Sequence, residues 1–240
     1  MPTPMMVLLR GSLALYKTHA SLLAGYAAWL LLPYAGLILV QSTGNEQWLM
    51  VAVGIFIVIE LCLWIWIHIL LTFAVDGIVS AQKREISQLH ESVRSVIWPV
   101  VLVSFLQMLV VLGGTLLLIV PGVIFSVWYY FAPLSAMLDG KRGTEALSFS
   151  RELSRGRFWR TAWLILGGPL VISLVYYPIV SLLIILLASL TGTGMDALVS
   201  DNLPLWADII ATVGDVFLLP LTATYFVLVY RELRASMKPL

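Results

Sequence analysis

Charge is scarce in this chain. Asp, Glu, Lys and Arg make up 11% of its 240 residues, 60% are hydrophobic, and mean hydropathy is +0.98. A soluble domain carries roughly 25% charged residues, so an ordinary water-soluble fold is excluded. Cysteine is nearly missing too. Cys62 stands alone inside an apolar run, so no intramolecular disulfide can form, and the thiol reads as an inert core group. With one Cys and three scattered His, no ligand spacing suggests a metal site, and neither metal nor cofactor is expected. A nucleophile elbow, a Gly-rich phosphate loop and paired carboxylates in the basic segments are all lacking. A catalytic domain of about 100–150 residues does not fit beside the apolar runs, so an enzyme is not expected. The first twenty residues lack a basic segment followed by an apolar stretch and a cleavage site, and no removable signal peptide is read there.

Basic residues are also absent from every second linker. All 14 Lys and Arg fall in four segments: Arg10 and Lys17; Lys83, Arg84 and Arg94; Lys141, Arg142, Arg151, Arg155, Arg157 and Arg160; Arg231, Arg234 and Lys238. Lys and Arg near span ends stay on the cytoplasmic side of a membrane. The pattern therefore predicts an all-α, polytopic bundle of six transmembrane helices with both termini cytoplasmic. Apolar runs of this length place the spans at about 21–41, 47–75, 96–119, 122–138, 161–190 and 205–230. From Ser95 to Leu138 no residue is charged, too long a stretch for one crossing, and Pro121-Gly122 is read as the turn that divides it. A re-entrant hairpin is the rival for that pair, because the second arm is short. Trp48 and Trp206 at outer ends, with Tyr16, Trp98, Trp159 and Tyr230 at inner ends, fit interfacial aromatic belts.

Three basic segments also carry apolar residues at helical spacing. These predict amphipathic interfacial helices at about 4–19, 79–95 and 143–158. In the last, Thr144 is the expected N-cap, and Ala146, Phe149 and Leu153 form the stripe. The layout reads as one unit used three times, an interfacial helix followed by two spans, with Leu15, Leu89 and Leu153 at matching places.

The stretch Leu117–Trp159 resembles a family of uncharacterised six-helix bacterial inner-membrane proteins, related to the membrane domain of some glycerophosphodiester phosphodiesterases. The matching features are Pro121-Gly122, Pro133, Asp139-Gly140, Ala146-Leu147, Ser150, Leu153, Gly156 and Trp159, followed by Tyr230, Leu233 and Arg234. The resemblance implies a helical domain in a bacterial inner membrane without a settled activity. The phosphodiesterase barrel is absent from this sequence, so that activity is not carried over.

Two groups of residues carry candidate chemistry. Glu60 and Asp215 lie about 20 Å and 15 Å below the outer ends of their spans at about 1.5 Å per residue, where a charge costs at least about 2.5–3.5 kcal/mol. Asp208, Thr212, Asp215 and Thr222 form one stripe, and Glu60, Trp64 and His68 another. Meeting, the two stripes make a proton or ion path. Apart, the acids are neutral carboxyls bonded to neighbouring helices, and His68 is an interior hydrogen-bonding group. The second group is the cluster Lys141, Arg142, Arg151, Arg155, Arg157 and Arg160, read either as topology determinants or as a site for anionic lipid head groups. The first functional expectation is a non-catalytic module of envelope organisation that binds anionic membrane lipids, a partner protein or its own copy. The alternative is a small proton- or ion-coupled transporter. Nucleic acid is not an expected partner.

Overall fold

The computed structural model describes residues 3–42, 46–81, 86–199 and 203–237, and among these there is no strand. The order is α1 (Met5–Thr18), α2 (Ala20–Ala27), a single 3₁₀ turn at Ala28–Leu30, α3 (Leu31–Gln41), α4 (Glu46–Val79), α5 (Ile86–Leu117) and α6 (Ile119–Tyr129). It continues with α7 (Ala132–Leu138), α8 (Gly143–Ser154), α9 (Phe158–Thr191), α10 (Met195–Val199) and α11 (Leu205–Ala235). Six stretches are long and apolar enough to cross a membrane: α2–α3, α4, α5, α6–α7, α9 and α11. The chain is a multi-pass, all-α membrane protein.

Local chemistry explains where these helices break. Pro33 sits in the first turn of α3, just after the 3₁₀ turn, where a missing N–H leaves little unsatisfied. The turn expected at Pro121-Gly122 occurs three residues earlier. Leu118 is extended (φ −163°, ψ 148°), and Pro121 is instead absorbed into the first turn of α6, where proline is tolerated. The fourth span is itself broken between α6 and α7. Ser150 of α8 bridges that break, accepting from the Phe131 N–H at 3.1 Å and donating to the Trp128 carbonyl at 2.8 Å.

Several expectations are corrected. Ile86 to Ser95 form no separate interfacial helix; they are the first turns of α5, which runs on to Leu117. This removes the second unit of the expected repeat. Lys83 and Arg84 lie outside the described residues, as do Asp201 and Lys238. Helix α8 starts at Gly143 with Arg142 at the N-cap and no side-chain capping bond, so Thr144 is not the cap. Its apolar stripe packs on protein: Ala146 and Leu153 are buried, and Phe149 is partly buried against the apolar cluster that holds Leu153. Cys62 is exposed on α4 and belongs to no core.

Two apolar clusters hold the bundle, and both sit toward the basic end. One joins Ile67–Val75 of α4 to Val93–Val103 of α5, α7 and α8; the other surrounds Tyr225–Leu233 with Leu8, Phe131, Leu153 and Leu164. The remaining halves of α4 and α9 are largely bare, with 6% of their most apolar windows buried, against 39% for α6–α7. That contrast makes α4 and α9 the lipid-facing helices and α7 part of the interior.

Close approach replaces bulk at one further point. In α9, Gly167-Gly168-Pro169 leaves room for Tyr225 of α11, whose hydroxyl donates to the Leu164 carbonyl at 2.7 Å. A Cβ at position 168 would lie 2.1 Å from the Tyr225 ring, and that ring is fully buried. Gly168→Val is therefore expected to destabilise the protein by about 1–3 kcal/mol, the usual cost of overpacking. Gly113→Ala, which meets nothing within 4 Å, should be neutral or slightly stabilising. Thermal unfolding in detergent checks both, and equal melting of the two variants would contradict this account.

Candidate functional site

The last turns of α11 tie the N-terminal residues, α4, the segment after α7 and α9 together at one end of the bundle. Arg234 pairs with Asp139, just after α7, at 2.5 Å, and the Tyr230 hydroxyl donates to the same carboxylate. Arg231 pairs with Asp76 of α4 at 3.3 Å and donates to the Ser80 hydroxyl at 3.0 Å. Glu232 accepts from the Thr3 N–H at 3.0 Å and pairs with Arg160 of α9 at 3.1 Å. Arg157 donates to the hydroxyl of Ser236 and, at 2.6 Å, to its carbonyl. Tyr230 is thus fully buried and Tyr16 donates to the Phe217 carbonyl at 3.0 Å, so neither is a belt residue. Burial pushes the Tyr16 hydroxyl above its ordinary pKa. Trp98 and Trp159 are exposed, at 78% and 82%.

These ties divide the expected cluster of six cations. Arg157 and Arg160 are committed to the chain termini. Lys141 donates to Glu145 one turn on at 2.6 Å. This contact raises the Lys141 pKa and lowers that of Glu145. Since the Glu145 value is depressed, whatever the pair contributes is present above the ordinary carboxylate range and is lost as pH falls through the lowered value. Both groups reach solvent, so the contribution is small. Arg142 is exposed at the start of α8. Arg151 and Arg155 are left, and both line a cavity of about 500 Å³.

The intramembrane acids are brought together. Glu60 of α4 and Asp215 of α11 line one cavity of about 390 Å³, along with Tyr34, Phe56, Trp64 and Thr212. It is an open groove, and both carboxylates are exposed in it. Asp208 lies one step further out, accepting from the Tyr34 hydroxyl at 2.5 Å. A second cavity of about 320 Å³ adjoins the first and holds His68, Thr72, Gln107, Tyr130 and Thr222. Trp64 and Leu219 line both cavities and form the partition between them. The Trp64 ring is stacked on His68, with centroids 5.3 Å apart and planes 9° from parallel. Among the described residues, no Lys or Arg lines either cavity.

Both predicted stripes therefore converge, Thr212 and Asp215 in the first cavity and Thr222 in the second. Sequence reasoning missed Tyr34, Phe56, Gln107 and Tyr130. Gln107 had a legible signal, being the one amide side chain in the uncharged run from Ser95 to Leu138. The aromatics had none, because exposed and cavity-lining rings look alike in sequence. Among the described residues, no three His, Cys, Asp or Glu converge as metal ligands.

Compared with known proteins, the chain finds no match: no family model, no curated protein and no solved structure is significantly similar to it.

The Asp139 knot is open to direct test. Asp139 is 5% exposed at its side chain and Arg234 54%, so the pair is half-buried. Asp139→Asn should cost about 1–3 kcal/mol, below the full price of breaking a buried pair because water screens Arg234. Thermal unfolding in detergent measures this. Adding Arg234→Gln should cost less on this background than in the wild-type chain, and strictly additive losses would contradict the pairing.

Proposed function

We propose that this protein carries protons across its membrane along the path from Asp208 and Tyr34, through Glu60 and Asp215, to His68 and Tyr130. The observation that carries the reading is the shared cavity: two carboxylates from different spans face one space that, among the described residues, no Lys or Arg lines. Each would cost at least about 2.5–3.5 kcal/mol if charged near the middle of a bilayer. A carboxyl group can give and take a proton, and these two open onto the same space. The adjoining cavity continues the series with an imidazole, an amide and hydroxyls, all able to donate or accept.

Trp64 is the control point in this scheme. Its ring is stacked on the His68 imidazole, so turning it would change access to that group. Small rotations of Trp64 and Leu219 join or separate the two cavities. The proposal includes the chain's orientation and setting: a bacterial inner membrane, the basic end in the cytoplasm, and kinship with the six-helix family resembled by Leu117–Trp159. Arg157, Arg160, Arg231 and Arg234 are gathered at the end of α11, which supports that orientation, since Lys and Arg are retained on the cytoplasmic side.

The test is proton flux into proteoliposomes loaded with a pH-sensitive dye and driven by a potassium diffusion potential. Wild-type protein should acidify the lumen faster than protein-free vesicles. Glu60→Gln and Asp215→Asn, which preserve shape, should each slow this by about tenfold or more, equivalent to about 1.4 kcal/mol on the limiting step. Trp64→Ala should speed it. Flux no faster than in empty vesicles, or unaffected by either carboxamide, would overturn the proposal.

A further inference from the structure

A second site lies outside that path. Where α8 ends and α9 begins, a cavity of about 500 Å³ is lined by Trp128, Arg151, Glu152, Ser154, Arg155 and Phe158, among others. Arg151 and Arg155 are one helical turn apart and open onto the same space. Neither makes an ion pair among the described residues, whereas Lys141 and Arg160 do. The Arg151 guanidinium is held 4.4 Å from the centre of the Trp128 ring, which positions it without neutralising it. Ser154 is 1% exposed, and its hydroxyl has no hydrogen-bond partner. A buried hydroxyl without a partner is costly, and Ser154 is among the residues lining this cavity. Phe158 opens α9, so the positive end of a long helix adjoins the same space.

We infer that this cavity binds the phosphodiester of a membrane phospholipid. Guanidinium groups match phosphate oxygens in geometry as well as charge, and the Ser154 hydroxyl adds a donor. Glu152 sets the preference. Two arginines and one carboxylate leave a formal charge of +1 at the wall, which suits a singly charged phosphodiester better than a phosphomonoester dianion. A lipid is favoured over a soluble phosphate by what adjoins Phe158. Trp159, Trp163, Leu166 and Leu170 recur at helical spacing along α9, and all are at least 54% exposed. This stripe leads from the cavity along the span, where acyl chains lie.

The experiment is titration of the purified protein in a neutral detergent with short-chain phosphatidylglycerol, read by tryptophan fluorescence and native mass spectrometry. Saturable binding is expected. Arg151→Gln with Arg155→Gln should weaken it by about tenfold or more, as loss of charge-assisted hydrogen bonds does. Ser154→Ala, a small change, should weaken it several-fold. Arg142→Gln, outside the cavity, should leave it unchanged. Phosphatidic acid should bind less well than phosphatidylglycerol at a pH where it is a dianion, and Glu152→Gln should remove that difference. Inorganic phosphate should not compete at concentrations similar to the lipid's. Effective competition by phosphate would overturn the lipid assignment in favour of a soluble anion. Loss of binding in Arg142→Gln equal to that in Arg151→Gln would overturn the site altogether, reducing it to general surface charge. Should the double variant fail to fold, Ser154→Ala decides, and unchanged affinity there would also refute the site. Proton flux is unaffected by these outcomes, so failure here and failure of the proton path are separable.

Discussion

The Asp139 carboxylate, held by Tyr230 and Arg234, is the contact on which the bundle's order rests. In hydrocarbon, packing leucine on leucine yields little, because lipid tails are equally apolar. What then selects one arrangement of helices is close steric fit and the few polar groups that must find partners. Three of the four ion pairs among the described residues involve the last turns of α11. Through them α4, α7, α9 and the N-terminal segment are fixed to one helix end, and both apolar clusters form around it.

The opposite halves of the helices are bound differently. There α4 and α9 are bare over long stretches, and α3, α4 and α11 diverge enough to leave the groove holding Glu60 and Asp215. The two cavities lie along this boundary, with Trp64 and Leu219 lining both. The groove at Arg151 and Arg155 lies beside Arg157, whose guanidinium is tied to Ser236.

Several residues of the stretch from Leu117 to Trp159, with Tyr230 and Arg234, have physical roles in the structure. Asp139, Tyr230 and Arg234 form the knot, Ser150 bridges the break between α6 and α7, and Ala146 and Leu153 are buried. Gly156 takes a left-handed φ of +72° at the turn from α8 to α9, a conformation other residues rarely adopt. At Gly122 a Cβ would lie 2.9 Å from the Thr115 backbone, so only glycine allows α5 and α6 to meet there. These are folding roles, which is why such a pattern speaks to architecture and is silent about activity.

Sequence alone determined the membrane class and the six spans. Each follows from local composition: apolar length sets a span, and charge cannot be placed in lipid. It also placed Glu60, Trp64 and His68 on one face and Thr212, Asp215 and Thr222 on another, since helical periodicity needs no partner to be read. Only tertiary structure decided that those faces meet. It also separated Arg151 and Arg155 from Arg157, Arg160 and Lys141, and it exposed Cys62 and merged Ser95 into α5. These outcomes turn on distances between segments far apart in the chain. A guanidinium looks the same in sequence whether its partner is a carboxylate, a carbonyl or a ligand, and only the fold brings one of them within reach.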